Sequence, residues 1–81
     1  MSEYIKQLKI QLASKIEGIR FQDISGLEVN LLKEGFPPIR VRDEKEYVII
    51  AIGNNTYRYD KWYTKPEHLA ETLKVFYQKQ G

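Results

Sequence analysis

Two strand-forming runs between residues 39 and 59, the first strictly alternating, limit the fold more than any other feature of the chain. "IRVR" (39–42) sets Ile39 and Val41 against Arg40 and Arg42. "YVIIAIGNNTYRY" (47–59) carries a strand-forming run into Gly53-Asn54-Asn55-Thr56 and out again at Tyr57. Successive strand residues point to opposite faces, so a period of two calls for a sheet with two chemically different sides.

Turn length fixes which residues share a side. With Asn54-Asn55 at the centre of a tight turn, where asparagine tolerates positive φ, Ile52 is expected opposite Tyr57, Ala51 opposite Arg58 and Ile50 opposite Tyr59. With "DEKE" (43–46) as a four-residue loop, Arg42 is expected opposite Tyr47 and Val41 opposite Val48. One face then holds Ile39, Val41, Val48, Ile50, Ile52, Tyr57 and Tyr59, and this is the expected core. The other holds Arg40, Arg42, Tyr47, Ile49, Ala51 and Arg58, joined by Glu28 and Asn30 if the preceding strand is adjacent.

Something must cover the apolar face, and two amphipathic helices are available. Ser2 caps a first helix over 3–17, with Glu3 against its positive end and Ile5, Leu8, Leu12 and Ile16 in one stripe. Gly18 follows where a C-terminal cap belongs. A second helix opens at Thr64-x-x-Glu67, which fits a capping box, with Pro66 in its first turn and Leu69, Leu73, Phe76 and Tyr77 as its stripe. Between them, strands are expected at 27–32, 39–42 and 46–53, a shorter one at 56–60, and a fifth candidate at 19–22. Asp23-Ile24-Ser25-Gly26 reads as a turn, and "KEGFPP" breaks the ladder. The expected architecture is a single α+β domain over 1–81. It is a single-layer antiparallel sheet of three to five strands, covered on one face by an N-terminal and a C-terminal helix in the order α-β-β-β-β-α.

Composition narrows the function classes. The 81 residues are 42% hydrophobic and 30% charged, as in an ordinary globular domain. Cysteine is absent, which removes disulfide frameworks and thiolate zinc sites and leans toward a cytoplasmic location. The amino terminus has no long apolar run, so neither a signal peptide nor a membrane span is expected. A formal charge of +2 permits a nucleic-acid ligand without demanding one.

No catalytic constellation emerges. The lone His68 falls in the first turn of the second helix, where packing on Tyr63 explains it better than metal or proton chemistry. Ser14 and Ser25 have no histidine partner, and Gly53 stands outside any phosphate-cradling loop. Asp43-Glu44-Lys45 matches the (D/E)-x-K spacing of the PD-(D/E)xK nucleases, with Asp23 as an upstream carboxylate. That family sets its motif within a strand, whereas here it is expected between two. No metal ligand set and no cofactor is expected.

The order of elements resembles that of double-stranded-RNA-binding domains, which run α-β-β-β-α. Their second helix opens on a lysine-rich K-K-x-A-K start, where this chain has "TKPEHLAE", and Pro66, Glu67 and Glu71 put acid where phosphate contacts would fall. Order of elements alone does not carry a function across.

The uncovered sheet face is the remaining candidate. Its bland explanation is a wet face on which Glu28 pairs with an arginine and nothing binds. Its functional explanation is an interface built from Arg40, Arg42, Tyr47, Ile49 and Arg58, since tyrosine and arginine are enriched where proteins meet. The expected function is thus a small non-catalytic module binding a protein partner, a second copy of itself included. Nucleic-acid binding by the same arginines and tyrosine is the alternative, and a metal-dependent nuclease a remote third. Trp62 is expected to close the end of the small core. If exposed, it extends the same patch.

Overall fold

A computed structural model describes residues 2–80. The Ser2 hydroxyl accepts the Ile5 N–H at 3.1 Å and opens α1 (Glu3–Lys15), while the Ser2 N–H donates to the Gly26 carbonyl at 2.7 Å and ties the helix to the sheet. Ile5, Leu8 and Leu12 are fully buried. The helix stops at Lys15, short of 17. Ile16 adopts extended backbone, its N–H still bonded to the Leu12 carbonyl, and its side chain stays in the core. Gly18, at φ +80°, completes the reversal, a conformation that suits glycine.

Five antiparallel strands follow: β1 (Arg20–Ser25), β2 (Glu28–Leu32), β3 (Ile39–Asp43), β4 (Tyr47–Ile52) and β5 (Asn55–Asp60). They lie in the sheet in chain order, and α2 (Pro66–Gln80) returns beside α1 over one face. The architecture is the one the alternation requires. The fifth strand at the front exists, and it runs through the residues expected to turn: the chain reverses at Gly26-Leu27, with a register shift between Asp23 and Ser25.

Both hairpin registers differ from expectation by two residues. The β4–β5 turn centres on Gly53-Asn54 with Gly53 at φ +58°, so Ile50 lies opposite Tyr57 and Ile49 opposite Arg58. A single glycine at the first turn position satisfies the twist, and no asparagine is forced to positive φ. At the other hairpin Glu44 and Tyr47 exchange backbone hydrogen bonds, which shortens the loop to Lys45-Glu46 and sets Arg42 opposite Ile49. A slip of two preserves which side each residue faces.

Ile39, Val41, Val48 and Ile50 of the expected core face are buried, while its β5 end is not. Val29, Leu31, Ile39, Val41, Val48 and Ile50 from the sheet meet Ile5, Leu8, Leu12, Leu69, Ala70, Leu73 and Tyr77 from the helices. Tyr59 and Ile52 are half-buried at the core margin, and Tyr57, on the same side, is 47% exposed in an open groove beside α2.

The start of α2 also departs from its expected form. Pro66 is the first helical residue, so the capping position falls on Lys65, whose carbonyl accepts from His68 and Leu69. Thr64, one residue too early for a capping box, donates its N–H to the Asp60 carbonyl.

Candidate binding face of the sheet

Alternation along β2 to β5 projects one set of side chains away from the helices, and register aligns them in rows. Glu28, Arg42, Ile49 and Arg58 form one row across the sheet. Asn30, Arg40, Ala51 and Thr56 form the next, and Tyr47 opposite Asp60 forms a third. All five residues expected on this face, Arg40, Arg42, Tyr47, Ile49 and Arg58, are brought together there.

Charge on the face is matched locally. Arg40 Nε lies 3.2 Å from a Glu28 carboxylate oxygen, and Arg42 Nε lies 3.0 Å from one of Glu44. The Arg58 guanidinium sits over the Tyr47 ring, 4.6 Å from its centre. The side chains of Arg40 and Arg42 are more than half exposed, so each pair contributes at most about 1 kcal/mol to stability. Their effect on the surface is larger. The strip reads as alternating sign around a half-buried Ile49 and Ala51, not as a band of positive charge. Glu28 is legible from strand parity, whereas Glu44 lies in the turn sequence and carries no periodic signal.

Trp62 is 76% exposed and Tyr63 79%, so neither closes the core. The Asp60 carboxylate accepts the Trp62 N–H at 2.7 Å and holds the chain in a turn outside the packed layer. Lys65 approaches the Trp62 ring at 5.3 Å. A depression lined by Lys45, Glu46, Asp60, Lys61 and Trp62 adjoins the Tyr47–Asp60 row, which makes Trp62 an extension of the face at that end. His68 is exposed, and with Tyr63 so open the expected packing between them shields neither.

The nuclease-like spacing resolves into structural pairs. Asp43 ends β3 on the helix side, buried against Lys61, and Glu44 serves Arg42. Asp23 pairs with Lys9 at 3.0 Å, two strands away from Asp43. Among the described residues no three His, Cys, Asp or Glu side chains converge as a metal site requires. Among them, too, no helix is long and apolar enough to cross a membrane. The chain matches no protein-family model, no curated protein and no solved structure.

Proposed function

We propose that this chain is a small non-catalytic interaction module whose open sheet face binds a protein. The observation that supports it best is the row Glu28–Arg42–Ile49–Arg58: an aliphatic centre between two arginines, one paired to a carboxylate and one stacked on Tyr47. Stacked and paired guanidinium groups are held in position before a partner arrives, which lowers the entropy cost of using them in an interface. A face of alternating sign with an apolar middle suits a protein surface of complementary pattern, a second copy among them, better than it suits a polyphosphate.

Nucleic-acid binding is the second reading, favoured by the exposed Trp62 beside Lys65, an aromatic platform next to a cation. Titration with short DNA and RNA at low and high salt separates the two. Affinity for nucleic acid that falls steeply with salt would overturn the protein-binding proposal. Conversely, a photo-crosslinker at Ile49 should trap protein after nuclease treatment, and one at exposed Ile10 of α1 should not.

A further inference from the structure

The two edges of the sheet are built differently. On β1 the ladder is broken by the register shift at Ile24, and Asp23 is tied down to Lys9 of α1. Bulges and charges of this kind protect an edge from pairing with another chain. β5 has neither. Its six pairs with β4 run without a shift, and Asn55-Thr56-Tyr57-Arg58-Tyr59-Asp60 contains no proline and no lysine.

The free backbone groups on that edge can be identified. The Lys61 N–H donates to the Glu46 carbonyl at 3.0 Å, continuing the β4–β5 ladder. Residues alternate in the side to which they turn their N–H and C=O, so Asn55, Tyr57 and Tyr59 also face β4. Thr56, Arg58 and Asp60 therefore face outward. The Asp60 carbonyl accepts from Thr64, which leaves Thr56, Arg58 and the Asp60 N–H as the open edge among the described residues. Above it, on the helix side, a groove of about 280 Å³ runs between β5 and α2, lined mainly by Ile50, Ile52, Tyr57, Tyr59, Leu73 and Phe76.

We propose that β5 pairs antiparallel with β5 of a second copy about a two-fold axis, with Tyr57 opposite its counterpart. Three features commit the site to a second copy. An antiparallel edge is self-complementary under a two-fold, so one sequence supplies both sides. In this register Thr56 and Arg58 of each copy exchange backbone hydrogen bonds with Arg58 and Thr56 of the other, and Asn55 meets Tyr59, so no like charges oppose. Sliding by one pair would place Arg58 against Arg58, which is unfavourable. Finally, the non-hydrogen-bonded Tyr57 pair brings the two half-open grooves edge to edge, each finishing the roof over the other's tyrosines. The proposal goes beyond the open-face reading, since edge pairing leaves that face free and doubles its width.

The chain contains no cysteine, so Tyr57→Cys introduces a single thiol. Opposed non-hydrogen-bonded residues have Cα atoms about 4.5 Å apart, within disulfide range. Under mild oxidation at micromolar concentration this variant should crosslink about a hundredfold faster than Ile24→Cys on the other edge, because a held pair reacts at roughly millimolar effective concentration. Wild-type protein should sediment at twice its 9.6 kDa, and Thr56→Pro, which removes only an outward donor, should sediment as a monomer. If Thr56→Pro fails to fold, Tyr57→Lys, which sets two ammonium groups across the axis, supplies the same test. A monomeric wild type, or equal crosslinking at both edges, overturns the proposal. So does a dimer that survives both edge variants but is lost in Ile49→Lys, which would seat the second copy on the open face instead.

Discussion

Lys61 delivers its ammonium to the carboxylate of Asp43 and so fastens the end of β5 to the end of β3. The Asp43 side chain is 7% exposed, and that of Lys61 is 24%. Lys61 also lies over the Tyr4 ring at 5.4 Å, and the Tyr4 hydroxyl donates to the Thr64 carbonyl at 2.6 Å. The start of α1, the end of β3 and the corner before α2 thus meet at one buried charge.

Removing one partner of such a pair strands the other. Lys61→Met should destabilise the fold by about 3 kcal/mol, because the Asp43 carboxylate stays buried without its cation. Adding Asp43→Leu should recover most of that loss, since an apolar pair of similar volume has no desolvation cost. Urea denaturation of the two variants checks this. A double variant no more stable than Lys61→Met would show that the ion pair is not what holds this corner.

The face assignment can be made from the sequence because both hairpins differ from their expected registers by two residues, and side-chain parity repeats every two. Turn centres are harder to place, since Gly53, Asn54 and Asn55 all tolerate turn conformations and only φ distinguishes them. The structure puts the requirement on Gly53, at φ +58° with open space where a Cβ would stand. Gly53→Ala should therefore cost about 1–2 kcal/mol through backbone strain alone. Asn55→Ala, at an ordinary strand position, should cost far less. Equal losses in thermal melts would return the turn to Asn54-Asn55.

Trp62 and Asp43 show what periodicity cannot carry. A tryptophan in a small domain is expected inside, and a carboxylate in a charged turn is expected outside. Both expectations fail because the Asp60 side chain fixes the turn that ejects Trp62, while Lys61 folds under it to neutralise Asp43. The first is a local side-chain turn and the second a contact across 18 residues, and neither leaves a periodic signal.

Tyr77 is 4% exposed, packs edge-on against Phe36 with ring centres 4.9 Å apart, and its hydroxyl has no hydrogen-bond partner among the described residues. An unsatisfied buried hydroxyl costs about 1–3 kcal/mol. Tyr77→Phe keeps the ring contact and removes that cost, so it should leave stability unchanged or raise it by about 1 kcal/mol. A drop in melting temperature would reveal a partner for the hydroxyl.

Alkaline stability should report on the same burial. Burial pushes the Tyr77 phenol up to about 12, and burial together with the negative charge of Asp43 does the same for Tyr4. An unfolded tyrosine ionises near 10. Between about pH 10 and 12 the unfolded chain has released these protons and the folded chain has not, so stability falls as pH rises through that window and is unaffected below it. Tyr77→Phe combined with Tyr4→Phe should flatten the decline. An unchanged slope would place its origin in other groups that titrate in this window.

The charge pattern of the open face makes the sharpest demand. If Glu28 and Glu44 keep Arg40 and Arg42 from acting as a phosphate-binding strip, removing those carboxylates should expose it. Glu28→Gln with Glu44→Gln should bind single-stranded RNA more tightly than wild type does. Every further phosphate neutralised by an arginine should steepen the logarithmic salt dependence by about 0.7. Adding Arg42→Gln should reverse part of that increase. Should the double variant bind no better than wild type, the carboxylates are not what sets the ligand preference of this face, and protein binding would rest on Ile49, Ala51 and the Tyr47–Arg58 stack alone.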